Sequence, residues 1–141
     1  MKTILAIALL FPSICFSAEK YAWQWSKDEP FSSSYLNILT GKKIDTWIYT
    51  LKGPSGKSKM VSIENEKWNL ITTCKTHNCA NNNISIIYNE KSKKIYALIN
   101  SSNTFFVGNP SQPLKDFLLK EHEYKYKFSN VKERLKNTNA M

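Results

Sequence analysis

The sequence predicts an α+β fold, a single domain in which a central antiparallel β-sheet of about five strands is flanked by helices. Three observations support this class. Short apolar runs alternate with turn signals through the middle of the chain. Residues at helical spacing lie before and after that region. The 141 residues are enough for one domain and too few for two of ordinary size.

The first 17 residues are predicted to be a signal peptide rather than part of the fold. Lys2 supplies a positive start, and the apolar run from Ile4 to Ile14 is too short to span a membrane. We expect cleavage after Ser17, with cleavage after Ala18 as the alternative. The mature chain is therefore expected to be exported, and no second long apolar stretch follows in it.

The mature chain is expected to have three segments, an N-terminal arm, a folded domain and a basic tail, which cover residues 18–30, 31–124 and 125–141. The arm is polar but carries three aromatic residues, Tyr21, Trp23 and Trp25. This composition favours a flexible arm or an edge strand. In the tail, residues 132–137 carry a weak helical pattern.

The elements of the domain follow from the change in hydrophobic period. A helix is expected to begin at Ser32–Ser34 and to end at Gly41. Apolar runs then predict short strands at residues 47–51, 60–63, 68–71, 84–88, 95–99 and 103–107. Trp47 and Trp68 occupy strand positions in this prediction, so we expect both in the core.

Helical spacing returns after Pro113. One face of this last helix is predicted to carry Leu114, Phe117 and Leu118. His122 lies between two glutamates, and we expect it to be solvated on the helix surface rather than catalytic.

The stretch CKTHNC, residues 74–79, is the most distinctive local feature. Cys74 and Cys79 are the cysteines that remain after signal-peptide removal, and an oxidising compartment predicts that they form a disulfide. So small a ring contributes only about 2 kcal/mol by loop-closure entropy. We therefore expect it to stiffen a protruding binding loop, which displays the hydrogen-bonding side chains of Lys75, Thr76, His77 and Asn78.

The residues alone leave three other interpretations of this ring open. The first is a simple hairpin staple with a solvated His77. The second is a redox pair, although the spacing differs from C-x-x-C. The third is a metal site at Cys74, His77 and Cys79, although a disulfide would consume two of those ligands. Weighing these, we expect no metal and no cofactor.

The loop Cys74-Lys75-Thr76-His77-Asn78-Cys79 resembles the C-K-P-H-D-C loop of the inhibitor-of-vertebrate-lysozyme (Ivy) family. The order of surrounding features is similar as well, with a glycine-ended helix, a Gly-Pro turn, a strand entering the first cysteine and a polar triplet after the second. The resemblance covers roughly residues 33 to 120. Thr76 stands where the family has proline, and Asn78 stands where the family has aspartate.

The resemblance implies a periplasmic protein of Gram-negative bacteria that inhibits C-type lysozyme and is not an enzyme. It implies that the ring enters the lysozyme cleft, where His77 hydrogen-bonds the catalytic acid and its partner carboxylate. Lys75 and Asn78 would line the rim. Family members can dimerise, so a homodimer remains open. The departures at Thr76 and Asn78 leave the potency and the natural target open.

Net charge keeps other interpretations open. The formal net charge is +9, and loss of Lys2 lowers it by one. C-type lysozymes are themselves basic, so the target is alternatively one of the bacterium's own lytic transglycosylases, or this member has lost inhibitory activity. A basic exported module also fits an anionic glycan or lipopolysaccharide, while export and the lack of a nucleic-acid motif exclude a nucleic-acid partner. The lysines concerned are Lys42, Lys43, Lys57, Lys59, Lys91, Lys93, Lys94 and those of the tail.

Overall fold

Residues 19–126 are described by the computed structural model, and they form an α+β unit, as the sequence predicts. Its elements in chain order are α1 (Ala22–Trp25), α2 (Phe31–Leu39), α3 (Thr46–Thr50), β1 (Lys59–Ile63), β2 (Glu66–Cys74), β3 (Asn83–Tyr88), β4 (Ile95–Asn100), β5 (Thr104–Val107) and α4 (Gln112–Tyr126). The predicted signal peptide and nearly all of the predicted basic tail lie outside the described residues.

The five strands form one antiparallel sheet in the order β1-β2-β3-β4-β5. Each strand therefore pairs with its neighbour in sequence, as short connections with turn residues predict. The β1–β2 connection is a two-residue turn in which Glu64 and Asn65 both have positive φ, 48° and 65°. Positive φ at both central residues is typical of the type I′ turn, whose twist matches that of the flanking strands.

The sheet has a hydrophobic core on each face, because alternate residues along a strand point to opposite sides. One face packs against α1, α2 and α3 through a cluster that includes Trp25, Phe31, Tyr35, Ile86 and Tyr88. The other face packs against Leu114 and Leu118 of α4 through a second cluster. Trp68 is buried in that second cluster, which confirms its prediction as a core residue.

The prediction of a strand at residues 47–51 is wrong, since Thr46–Thr50 form the short helix α3. A single helical turn places Ile48 and Leu51 on the same side, and both are fully buried. Leu51 ends the helix with a left-handed φ of 50°. The Tyr35 hydroxyl donates to the Ile48 carbonyl at 2.6 Å, so a contact from α2 fixes this turn. Trp47 is half-buried in α3 rather than a core strand residue.

The prediction of a flexible arm or an edge strand at the N-terminus is also wrong for the residues described. Ala22 and Trp25 of α1 are buried in the core. The Trp25 indole donates to the Ser58 hydroxyl at 3.0 Å, which ties α1 to the segment before β1. Tyr21 forms one isolated antiparallel bridge with Lys57, which precedes β1 and lies outside the five strands. Trp23, in contrast, is exposed.

Because consecutive strands are antiparallel, the connections between them lie alternately at the two ends of the sheet. The β2–β3 connection (residues 75–82) and the β4–β5 connection (residues 101–103) share one end, which we call the ring end. The β1–β2 and β3–β4 connections lie at the opposite end. Within residues 19–126, no helix combines the length and the apolar character needed to cross a membrane.

Candidate functional site

The site begins where β2 ends, at the disulfide between Cys74 and Cys79. The predicted bond is present, with a Cα–Cα distance of 4.8 Å. Cys74 is the buried last residue of β2, and Cys79 is half-buried. The bond therefore closes a six-residue ring on the edge of the core rather than joining distant elements.

A tight turn forms the tip of the ring. The Asn78 N–H donates to the Lys75 carbonyl at 3.0 Å, which leaves Thr76 and His77 as the two central residues. His77 has a left-handed φ of 64°, a conformation that histidine tolerates better than β-branched residues do. Positive φ at the second central position is typical of type II turns.

All four ring side chains predicted to bind a target are exposed, namely those of Lys75, Thr76, His77 and Asn78. The structure thus brings together the residues that the sequence singled out. None of the four is part of a hydrophobic cluster. They are available to another molecule, and the backbone turn rather than side-chain packing sets their direction.

Lys75 has an ion-pair partner that the sequence did not predict. Its Nζ lies 3.2 Å from Oδ2 of Asp45, in the connection between α2 and α3. Both side chains are about half exposed, at 47% and 48%. An ion pair this exposed contributes at most about 1 kcal/mol. It nevertheless places a negative group beside the basic residue of the ring.

The base of the ring rests against Gly53 and Pro54. A Cβ atom on Gly53 would lie 1.9 Å from the Cys74 carbonyl oxygen, so only glycine fits there. The Thr73 hydroxyl donates to the Pro54 carbonyl at 3.2 Å. These contacts fix the chain on one side of β2 just before the ring begins.

Asn82 and Asn83 hold the ring where the chain leaves it. The Asn83 side-chain amide donates to the Cys79 carbonyl at 2.6 Å, and the Asn82 side-chain oxygen accepts from the Ser101 hydroxyl at 3.0 Å. The sequence showed these residues only as a polar triplet. Their role depends on distances between segments, which no local pattern reveals.

A shallow cleft of about 280 Å³ lies beside the ring end. It is lined by Lys43, Ile44, Asp45, Ser101, Ser102, Asn103 and Phe105. Two of its lining residues contact the β2–β3 connection, since Asp45 pairs with Lys75 and Ser101 donates to Asn82. A larger cleft of about 540 Å³ lies at the opposite end, between the sheet and the start of α4.

His122 is buried, so its prediction as a solvated surface residue is wrong. Its Nδ1 lies 3.3 Å from the Ser85 hydroxyl on β3, beneath α4. Burial lowers the pKa of His122 from 6.5 to about 4, because an apolar surrounding disfavours the charged imidazole. At neutral pH this histidine is an uncharged part of the interface between α4 and the sheet, away from the ring.

The metal-site interpretation and the anionic-surface interpretation can both be compared with the structure. Among residues 19–126, no group of three or more His, Cys, Asp or Glu side chains is arranged to hold a metal ion. The exposed lysines Lys91, Lys93 and Lys94 cluster at the β3–β4 turn, at the opposite end from the ring. These three lysines therefore lie away from the ring, whereas Lys43 lines the cleft beside it and Lys75 of the ring is paired with Asp45.

Comparison with known proteins points to one family. Residues 34–113 match the family described as inhibitor of vertebrate lysozyme (Ivy). The chain is also 24% identical, over 95 residues, to the inhibitor of vertebrate lysozyme of Pseudomonas aeruginosa. That alignment covers 57% of this chain and 62% of the relative, so the chain spans less than two thirds of the relative's length. The matched region contains the ring, its base and the whole sheet.

Proposed function

The chain belongs to the inhibitor of vertebrate lysozyme (Ivy) family, and from that membership we propose that it is an exported inhibitor of C-type lysozyme. The inhibitor acts by inserting the Cys74–Cys79 ring into the active-site cleft of the enzyme. The chain itself performs no catalysis in this proposal. The single observation that supports it best is the exposed His77 at the tip of a disulfide-closed ring.

The chemistry of the target explains why a histidine suits the tip. A lysozyme cleft contains two carboxyl groups, one kept protonated as the general acid and one ionised. A charged imidazole donates from both ring nitrogens, so one side chain reaches both carboxyl groups. Hydrogen bonds to charged groups contribute about 1.5–3 kcal/mol each. His77 therefore supplies the central contact of the proposed complex.

The ring offers this contact at low entropic cost. The disulfide and the Lys75–Asn78 turn hold the tip in one shape before the enzyme arrives. Fewer rotatable bonds need to be ordered on binding, and that ordering cost is one of the main terms that oppose association. Thr76 lacks the fixed φ of proline, so the stiffness depends more on the surrounding contacts than in a proline-containing loop.

Lys75 and Asn78 belong to the rim of the proposed contact. Lys75 is shared between Asp45 and any acidic group on the enzyme, because its exposed ammonium group can exchange partners. Asn78 offers an uncharged amide at the edge of the ring. Rim residues of this kind contribute to register more than to affinity.

A titration of bacterial cell-wall lysis tests this function. Mature protein is added in increasing amounts to a C-type lysozyme acting on a cell-wall suspension, before and after reduction of the disulfide. We expect lysis to stop near one equivalent of inhibitor and to recover in large part when the ring is opened. Unchanged lysis at a large excess of oxidised protein would contradict the proposal.

The same titration distinguishes the anionic-surface alternative. A protein that binds acidic glycan or lipopolysaccharide through its lysines would associate with the cell-wall material and lose that association steeply with salt. An inhibitor binds the enzyme in solution with one-to-one stoichiometry. A sedimentation assay of inhibitor with cell walls alone therefore serves as the control.

A further inference from the structure

We propose that Asn82 and Asn83 form an amide clamp that positions the ring for binding, and that Asn83 is its principal residue. This inference rests on the proposed function, because it names what holds the target-binding loop in its binding shape. The clamp consists of these two residues alone. Neither asparagine touches the target in the proposal, so both are positioning residues.

The disulfide leaves one part of the loop unconstrained. It closes residues 74–79, whereas the chain must still return through residues 80–82 to reach β3. A ring held only at Cys74 could pivot about the end of β2. A second attachment on the return segment is needed to fix the direction of His77.

Asn83 supplies that attachment from inside the protein. It is fully buried at the start of β3, opposite Cys74 in the strand register. Its Nδ2 donates to the carbonyl of Cys79 at 2.6 Å and approaches that of Ala80 at 3.4 Å. One amide group therefore contacts the last residue of the ring and the first residue after it.

The residue type matches this task. Two carbonyl oxygens need a donor, and a primary amide has two N–H groups in one plane. An aspartate of the same shape would place carboxylate oxygens, which only accept hydrogen bonds, against these two carbonyl oxygens. A serine or threonine would offer one hydrogen and reach less far. Asparagine is thus the smallest side chain that can hold both carbonyl groups from this position.

Asn82 attaches the return segment from the other side. Its carbonyl accepts from the Lys75 N–H at 2.8 Å, and its N–H donates to the Asn78 carbonyl at 3.0 Å. Both sides of the tip turn are therefore bonded to one residue. Its side-chain oxygen accepts from Ser101 at 3.0 Å, which links the return segment to the β4–β5 connection.

The clamp can compensate for the departure of this loop from the family motif C-K-P-H-D-C. With Thr76 in place of proline, the tip has less intrinsic stiffness. If only a fraction of molecules present the binding shape, the apparent dissociation constant rises in inverse proportion to that fraction. Bonds from Asn82 and Asn83 raise that fraction, and they involve only backbone atoms of Lys75, Asn78, Cys79 and Ala80, so the four ring side chains stay free to bind.

The test compares Asn83→Ala with Ser85→Ala, a matched control two residues along β3. Both side chains are polar and fully buried, but Ser85 contacts His122 and not the ring. Hydrogen exchange is followed at the Asn78 and Asn82 N–H groups, with β2 and β3 amides as references. Affinity for C-type lysozyme is measured on the same samples.

We expect Asn83→Ala to speed exchange of the Asn78 and Asn82 N–H groups at least tenfold relative to the strand amides. We also expect it to weaken lysozyme binding by about five- to fiftyfold. Ser85→Ala should leave both quantities near the wild-type values. Equal ring exchange and equal affinity in the two variants would overturn the inference. If the wild-type protein does not bind lysozyme, the proposed function fails, while the exchange measurement still decides whether the clamp exists.

A milder variant covers the case in which Asn83→Ala does not fold. Asn82→Ala removes only the side-chain bond to Ser101 and keeps the backbone bonds. We expect a change of the same kind and smaller size, about two- to fivefold in affinity. Ring exchange and affinity identical to wild type in Asn82→Ala, with Asn83→Ala unfolded, would also overturn the inference.

Discussion

At residue 77 the backbone and the side chain contribute separately to the proposed inhibition. His77 has a φ of 64°, which costs most L-residues conformational energy and costs glycine nothing. The imidazole is exposed and its chemistry is needed only in the complex. Two substitutions can therefore distinguish loss of the imidazole from strain in the turn.

We predict that His77→Ala and His77→Gly both weaken lysozyme inhibition at least tenfold, because both remove the imidazole's hydrogen bonds to the two cleft carboxyl groups, and a hydrogen bond that involves a charged group contributes about 1.5–3 kcal/mol. Inhibition constants from lysis assays measure the loss. His77→Gly relieves any strain at positive φ, so similar losses in the two variants assign the effect to the imidazole. Retained potency in His77→Gly would remove His77 from the mechanism.

His122 is buried, whereas His77 is exposed. The sequence places His122 between two glutamates, and that local polarity indicated a surface position. Its buried imidazole ring contacts Ser85, which lies 37 positions away on β3. Local composition could not reveal that contact, since the helical face it belongs to is set by how α4 lies across the sheet.

The lowered pKa of His122 predicts acid sensitivity of folding. The folded chain binds this proton only near pH 4, whereas the unfolded chain binds it near pH 6.5. Stability is therefore highest above pH 6.5 and falls as the pH decreases toward 4. The linked loss approaches roughly 3 kcal/mol.

His122→Asn removes this titration and keeps a polar atom near Ser85, so we expect urea unfolding to depend less on pH between 4 and 6.5. His77→Asn is the matched control, because it makes the same change at an exposed histidine outside the interface between α4 and the sheet. A His122→Asn profile that parallels the wild type would show that other groups cause the acid sensitivity.

At the scale of elements, the strands and the longer helices could be predicted and α3 could not. Alternating apolar residues and the turn residues between them are local, and they located β1 to β5 and α4 to within a few positions. Residues 46–50 are rich in aromatic and β-branched types, which favour strands. The hydrogen bond from Tyr35 to Ile48 and the burial of Leu51 favour the helical turn instead, and both depend on α2 and the sheet.

In the candidate site, too, features set by local sequence could be predicted, and features set by contacts between segments could not. The disulfide-closed ring could be predicted because Cys74 and Cys79 lie in one contiguous motif, which also contains His77. Asp45, Gly53 and Asn83 could not, because each contacts the ring from another segment or from within the core. A sequence thus identifies the disulfide-closed loop more readily than the residues from other segments that contact it.

Gly53 is the support most easily tested at the level of elements. A Cβ at this position would overlap the Cys74 carbonyl oxygen, so Gly53→Ala must displace the end of β2 or its own connection. We expect a loss of about 1–3 kcal/mol in unfolding free energy, as for other overpacked sites, together with weaker lysozyme inhibition.

Gly56→Ala is the matched control for that prediction. A Cβ on Gly56 meets no atom within 4 Å. Urea unfolding and inhibition assays on both variants should leave Gly56→Ala close to the wild type. Equal behaviour of the two variants would mean that the ring base does not depend on the Gly53 contact.

For the whole molecule, charge opposes the proposed encounter. The chain is strongly basic, and a basic lysozyme repels it at long range. If the ring faces the enzyme, Lys91, Lys93 and Lys94 lie at the far end, and only their own share of that repulsion is reduced. That reduction does not apply at distances where orientation is still random.

We therefore predict that moderate salt speeds association with C-type lysozyme by a few-fold, since screening shortens the range of the repulsion to about 8–10 Å. Stopped-flow or surface-based association rates at several salt concentrations measure the effect. Association that slows steeply with salt would indicate attraction between opposite charges and hence an acidic target.

Competition with a cleft-filling ligand asks whether the ring occupies the active-site cleft of lysozyme. The affinity of the protein for C-type lysozyme is measured at increasing concentrations of a soluble N-acetylglucosamine oligosaccharide. We predict that the apparent dissociation constant rises in proportion to oligosaccharide once the cleft is saturated. A constant affinity, with protein, lysozyme and oligosaccharide in one complex, would mean that the ring binds outside the cleft.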